Sequence, residues 1–232
     1  MDNQEGNAPE GAIAGPMPGH KGEPRWAMAV AVLAAELLHV TLPSQVRAIG
    51  QVWIYPVIGV GLLLVLVIGD PGRINNRAIW LRVVTSLLIA SVTIANAFNA
   101  IHLVQLIAAN AKLGTATRLL ASGAAIWLVN VIAFGLWYWD LDQGGAAVRA
   151  TGTTKLPAFL FPEMTNPEVV RAGWYPSLID YLHMSFATAT AFSPTDVSAI
   201  KHWSKMLMTF ESAVSLLLAV LVVARAINIL PS

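Results

Sequence analysis

Four long stretches of the chain are almost free of charged residues, and they constrain the fold more than any other feature. A helix needs about 20 consecutive apolar residues to cross the hydrocarbon core of a bilayer. The stretches that meet this length cover residues 48–69, 83–111, 119–139 and 206–224. A fifth stretch, 26–43, is shorter but mostly apolar. We therefore predict an all-α integral membrane protein with five transmembrane helices, placed as a multi-pass protein in the cell (plasma or inner) membrane.

Composition excludes several classes of function. Only 12% of the 232 residues are charged, about half the share found in a soluble domain. The net charge of +1 offers no basic surface for nucleic acid, so the lipid bilayer is the expected partner. The chain has no cysteine, and its His and carboxylate residues lack the spacing of metal ligands. Because no recognisable set of nucleophile, base and orienting group is present either, we expect no enzyme activity, metal or cofactor.

The distribution of polar residues divides the chain into three parts. Residues 1–25 are rich in Pro and Gly with charges of both signs, which predicts a flexible N-terminal tail. Residues 26–111 form a three-helix transmembrane region, and residues 117–229 form a second module. The predicted elements of that module are helix 119–139, extramembrane loop 140–176, short helix 177–192 and helix 206–229.

The segment 177–192 has a helical pattern but is too short and too polar to span a bilayer. Ser177 is a plausible N-cap, and Asp180 suits the positive end of the helix dipole. A short helix between two spanning helices is usually either interfacial or re-entrant. It ends in the turn-forming residues Ser193, Pro194 and Thr195, and Asp196 follows them.

This order of elements resembles the pore module of potassium-type channels, in which a short helix and a filter lie between two spanning helices. The family pattern is Thr-x-Thr-Thr, a hydrophobic residue, and then Gly-Tyr-Gly-Asp. Thr188 and Thr190 match the threonines, Phe192 matches the hydrophobic residue and Asp196 matches the aspartate. The pair Ser185-Phe186 and the later Glu211 also have counterparts in that family.

The match fails at the filter itself, where Ser193, Pro194 and Thr195 replace Gly-Tyr-Gly. The glycines permit backbone angles that present carbonyl oxygens to potassium, and proline fixes its own φ. The resemblance therefore implies a channel-like homo-oligomer, tetrameric if it follows the family's symmetry, with an altered filter that is not selective for potassium. Its implied permeant species is a monovalent cation. The chain is also similar to uncharacterised bacterial polytopic membrane proteins with Trp-Tyr-Trp-Asp and Phe-Ser-Pro-Thr-Asp elements.

Two other functions remain open from the sequence. Pro194 in the filter position is compatible with a membrane scaffold or sensor that keeps the packing of a pore module without conducting. Ionisable residues within the first three helices are compatible with a small secondary transporter. No internal repeat supports the transporter.

Polar residues inside the apolar stretches are candidate functional groups because they are costly in lipid. Glu36 and His39 share a helix face and could relay protons, bind a cation or contact a neighbouring helix. Asn96, Asn99 and His102 form a polar stripe with Gln105 that could line an aqueous path or join helices.

Three further features concern the second module. Glu211 is expected behind the short helix, where it could hydrogen-bond the threonines of that helix. Trp137, Tyr138 and Trp139 are typical of a membrane interface, and the Asp140 and Asp142 that follow are expected to be a solvated helix end.

Membrane orientation is left open because two arguments disagree. The positive-inside rule mildly favours a cytoplasmic N-terminus, whereas the channel resemblance places the long loop outside and the C-terminus inside.

Overall fold

The computed structural model describes residues 22–49, 52–74, 76–150, 156–166, 168, 174–190 and 196–229. Most of these residues are helical. The long helices are α1 (Arg25–Thr41), α2 (Ile54–Gly69), α3 (Ile79–Ala108), α4 (Ala116–Leu141) and α8 (His202–Ile229). The shorter helices are α5 (Ala146–Arg149), α6 (Pro162–Thr165) and α7 (Leu178–Thr190).

Three of the helices, α3, α4 and α8, are long and apolar enough to cross a membrane. The 16 residues of α2 are apolar but fall short of a full span, and the 17 residues of α1 include Glu36 and His39. The helix α2 begins at Ile54, later than the predicted start at 48, because residues 44–46 and 52–53 form turns. The structure therefore supports a membrane protein with at least these three apolar helices.

The helix α4 lies at the centre and packs against α1, α3, α7 and α8. Of its most apolar window, 67% is buried, compared with 22% for the corresponding window of α8. Two glycines allow its neighbours to approach closely. A Cβ atom added at Gly123 would lie 2.6 Å from the Val222 side chain, and one at Gly135 would lie 3.1 Å from the Cα of Leu182.

The short helix α7 is found where the sequence predicts it, although it begins one residue later. Ser177 precedes its first turn, and Asp180 accepts hydrogen bonds from the Ser177 amide at 2.7 Å and hydroxyl at 2.8 Å. The helix then runs along α4 in the opposite direction, because Tyr181 contacts Asp142 while Phe186 contacts Trp127.

The segment predicted as an extramembrane loop, 140–176, contains several short elements among its described residues. Besides α5 and α6 it includes the strand β1 (Phe159–Leu160), which pairs antiparallel with β2 (Ser198–Ala199). The fold is mostly helical, as predicted, and this pair of two-residue strands is an addition to it, formed where the chain after Asp196 extends alongside the loop. Gly144 and Gly145 have φ angles of 91° and 94°, which glycine adopts readily, and they fold the loop back onto the end of α4.

The end of the predicted N-terminal tail is packed against the protein. Glu23 is 5% exposed, and Arg25 is 4% exposed. The Arg25 guanidinium lies 2.6 Å from the Asp70 carboxylate, and the Ile74 amide donates to the Glu23 carbonyl at 2.9 Å. Residues 22–25 are therefore joined to the turn that separates α2 from α3.

We expect Gly135→Ala to destabilise the protein, because the new methyl group would press against the Leu182 backbone and push α7 away from α4. Overpacking of this kind costs about 1–3 kcal/mol. The control is Gly61→Ala in α2, where an added Cβ would meet no atom within 4 Å. Thermal unfolding in detergent should show a lower midpoint for Gly135→Ala alone. Equal midpoints for the two variants would contradict the close packing of α7 on α4.

Candidate functional site

The candidate site is the region where α7 lies between α4 and α8, and a buried carboxyl group joins the three helices. The Glu211 side chain of α8 is completely buried and accepts hydrogen bonds from the Tyr138 hydroxyl of α4 and the Ser185 hydroxyl of α7. The Ser185 hydroxyl also lies 2.8 Å from the Val131 carbonyl oxygen. Glu211 thus lies behind α7, as the sequence predicts. The expectation that the threonines of α7 bond to Glu211 is wrong, because Ser185, about one helical turn before Thr188, donates that hydrogen bond.

The two threonines at the end of α7 bond to their own helix. The Thr188 hydroxyl donates to the Met184 carbonyl at 2.8 Å, and the Thr190 hydroxyl donates to the Ala187 carbonyl at 2.9 Å. The Thr188 carbonyl accepts from the Ser212 hydroxyl of α8 at 3.1 Å. Phe192, Ser193, Pro194 and Thr195, which complete the predicted filter-like segment, lie outside the described residues.

Asp196 lies on the other side of that segment, beside an acidic cavity of about 120 Å³. Its titratable lining consists of four side chains: Glu163, Asp180, His183 and Asp196. Within the described residues, no three His, Asp or Glu side chains lie close enough to hold a metal ion directly. Three of these four side chains are carboxyl groups, so acidic residues outnumber basic ones in the lining.

A second buried network lies at the C-terminal end of α4, its loop end, which leads into segment 140–176. The sequence predicts a solvated helix end at this place. Asp142 is completely buried, and its carboxylate accepts hydrogen bonds from the Tyr181 hydroxyl at 2.6 Å and the Ala158 amide at 2.7 Å. The Arg149 guanidinium donates to the Asp142 and Trp139 carbonyl oxygens at 2.9 and 2.7 Å. The expectation of solvation was wrong because the loop covers this end of α4.

Glu23 completes this network from the N-terminal side. Its carboxylate lies 3.2 Å from the Arg149 guanidinium and accepts hydrogen bonds from the Trp139 indole at 2.9 Å and the Leu178 amide at 3.0 Å. Burial opposes the charge of Arg149, but Tyr181 and the neighbouring carboxylates outweigh it and raise the pKa of Arg149 above its ordinary value. The network holds the first turn of α7 in place.

The polar residues of the first helices contact neighbouring segments. The Asn99 amide nitrogen lies 2.9 Å from His39 Nδ1, and its oxygen accepts from the Ala48 amide at 3.1 Å. The Asn96 amide donates to the Ile126 carbonyl at 3.1 Å, and His102 Nε2 lies 3.2 Å from the Gln45 carbonyl oxygen. The predicted polar stripe therefore joins α3 to α4 and to the turn after α1.

Glu36 and His39 share a small cavity with Asn96 and Asn99 between α1, α3 and α4. Its volume of about 10 Å³ is close to that of one water-sized sphere. The carboxyl group of Glu36 contacts Gly59 of α2, and His39 Nε2 is buried without a hydrogen-bond partner in the described part of the chain. The described side chains leave room at this position for about one water molecule.

The sequence singled out Glu211, Thr188, Thr190 and Asp196, and the structure places all of them on or next to α7. Sequence reasoning missed Tyr138 and Ser185 as partners of Glu211. Tyr138 belongs to an aromatic run that is typical of a membrane interface, and Ser185 was noted only as part of a Ser-Phe pair. No protein-family model, curated protein or solved structure matches the chain.

We expect Glu23→Ala to destabilise the protein strongly, because Arg149 would lose its ion-pair partner while it remains buried. Breaking a buried pair in this way costs about 3–5 kcal/mol. The control is Glu168→Ala, since Glu168 is exposed in the same loop region. The thermal midpoint in detergent should fall for Glu23→Ala and stay within error for Glu168→Ala. A small loss at Glu23 would mean that the network does not anchor α7.

Proposed function

We propose that the protein is a channel-like homo-oligomer that conducts monovalent cations through a path at the end of α7. The observation that carries the proposal is the position of α7 between two apolar helices, with an acidic cavity next to the residue that follows its turn. The contacts between α7 and α4 show how far along the axis of α4 each part of α7 lies.

Successive residues of α7 contact α4 at positions that move away from its loop end. Tyr181 contacts Asp142, Ser185 contacts the Val131 carbonyl, and Phe186 contacts Trp127. At 1.5 Å per residue, the distance along α4 from Asp142 to Trp127 is about 22 Å, and the whole helix is about 39 Å long. Phe186 therefore lies slightly more than halfway along α4, and Thr190 at the end of α7 lies about 6 Å farther from the loop end of α4.

Asp196 supports a re-entrant arrangement because it lies close to the level at which α7 begins. It shares the acidic cavity with Asp180 and His183, which occupy the first two turns of α7. Thr190 and Asp196 flank residues 191–195. Thr190 lies far along α4 from its loop end, whereas Asp196 lies beside the first turns of α7, close to that loop end. In the proposal α1 and α2 also cross the bilayer, which gives five spans and one re-entrant helix.

The charge of the acidic cavity favours cations over anions. Rings of Asp and Glu side chains at a pore mouth concentrate cations in this way. The sequence Ser193-Pro194-Thr195 lacks the glycines that a potassium filter requires, so the proposed path does not discriminate strongly among monovalent cations.

A path at the end of α7 needs more than one copy of the chain to enclose it. The helix α8 offers a broad surface for this purpose, since it exposes Phe210, Leu217 and Val220 by 61%, 54% and 56%. These side chains would face either lipid or a second copy. Four copies around an axis is the arrangement implied by the resemblance to channels.

A non-conducting scaffold or sensor is the second candidate, and one observation favours it. The hydroxyl groups of Ser185, Thr188 and Thr190 all donate within the protein. This pattern is compatible with a short helix that serves packing alone. Ion flux distinguishes the two functions.

We expect Asp196→Asn to reduce cation flux from proteoliposomes at low salt, because the mouth loses one negative charge. The reduction should be several-fold at about 0.01 M salt and should largely disappear at about 1 M, where the screening length falls from about 30 to 3 Å. The control is Glu168→Gln, an equal change of charge at an exposed residue that does not line the cavity.

Two results would contradict this proposal. Wild-type protein that carries no cation flux would favour the scaffold or sensor. Flux that is equal in the wild type and Asp196→Asn at low salt would remove the acidic cavity from the path.

A further inference from the structure

A second cavity of interest lies at the loop end of α4, and no residue of α7 lines it. It has a volume of about 250 Å³ and lies between the starts of α1 and α3 and the residues that follow α4. Its walls combine three arginines, Arg25, Arg77 and Arg82, with apolar residues that include Ile79 and Leu81. This cavity plays no part in the proposed cation path.

Two of the three arginines are exposed. Arg25 is committed to Asp70, which accepts from its Nη2 at 2.6 Å and from its Nε at 2.8 Å through the backbone carbonyl. Arg77 and Arg82 are exposed, and neither guanidinium donates a hydrogen bond within the described part of the chain. Arg82 lies in the first turn of α3, close enough to Asp140 for the two charges to interact.

One carboxylate also lines the cavity and reduces its positive charge. Asp140 is 4% exposed, and its Oδ2 accepts from the Ser86 hydroxyl at 2.9 Å. It is therefore a buried group of the cavity lining, whereas Arg77 and Arg82 are exposed. The charges of Arg82 and Asp140 interact, and Arg77 adds a positive charge that no carboxylate of the lining balances, so the cavity favours an anion.

The position of the cavity suggests what that anion is attached to. It lies where α3 begins and α4 ends, and these two helices are long and apolar enough to cross a membrane. Trp80, 49% exposed, and Trp26, 64% exposed, lie in the first turns of α3 and α1, as aromatic residues do at a membrane interface. Ile79 is 81% exposed beside the cavity and offers an apolar surface that leads from it.

We propose that this cavity binds an anionic phospholipid, with the phosphate on Arg77 and Arg82 and an acyl chain along the apolar surface at Ile79. Arginine suits this ligand because its planar group can donate two parallel hydrogen bonds to a phosphate. Basic pockets between membrane helices bind acidic lipid headgroups in the same way. The bound lipid would bridge α1, α3 and the end of α4.

The test uses the full chain purified in detergent and titrated with phosphatidylglycerol or with zwitterionic phosphatidylcholine. Native mass spectrometry counts retained lipid, and thermal unfolding reports stabilisation. We expect phosphatidylglycerol, but not phosphatidylcholine, to remain bound and to raise the unfolding midpoint. The double variant Arg77→Gln/Arg82→Gln should bind phosphatidylglycerol about tenfold or more weakly, as expected for the loss of charged hydrogen bonds.

A matched control carries the same change of charge at the other end of the molecule. Lys112→Gln/Arg118→Gln removes two exposed cations near the start of α4 and should leave phosphatidylglycerol binding unchanged. Equal weakening in both double variants, or equal binding of the two lipids by the wild type, would overturn the proposal. Since the wild-type comparison needs no variant, the proposal stays testable if the double variant fails to fold.

A further arm distinguishes a lipid from a soluble anion. Inorganic phosphate and glycerol 1-phosphate carry the same charged group without an acyl chain. We expect neither to raise the unfolding midpoint as much as phosphatidylglycerol does at equal concentration. If free phosphate stabilises the wild type equally well, the cavity is a phosphate site and the lipid assignment is wrong.

Discussion

The constraint on which the rest of the structure depends is that α7 stops partway along its neighbours, so its polar groups need partners inside the protein. Lipid offers no hydrogen bonds to an unpaired hydroxyl or carbonyl group. Glu211 meets part of this need through Ser185 and Tyr138, and Ser212 meets another part at the Thr188 carbonyl. The buried carboxyl group of Glu211 thus fixes the position of α7 relative to α4 and α8.

Two separate cavities lie at the loop end of α4. On the α7 side, acidic side chains surround Asp196, and on the α3 side Arg77 and Arg82 face an apolar surface. The Asp142, Arg149 and Glu23 network lies between them and fixes the start of α7.

The approximate ranges of the helices could be predicted from the sequence because apolar runs and turn residues are local signals. The position of Glu211 behind α7 could also be predicted, since a lone carboxyl group in an apolar helix must face protein. Its partner Tyr138 could not, because the aromatic cluster beside it is equally typical of an interface. Glu23 was assigned to a flexible tail on composition, and only its distant contact with Arg149 shows that it is buried. Pairings between residues so far apart leave no local pattern.

The most direct test of the account is whether the end of α7 borders a cation path. The chain has no cysteine, so a single Thr190→Cys variant can be modified at one place only. In proteoliposomes, a membrane-impermeant, charged thiol reagent should block the cation flux of Thr190→Cys. It should leave Thr165→Cys, exposed at the end of α6, unaffected. Flux that continues unchanged after complete modification of Thr190→Cys would contradict the central claim.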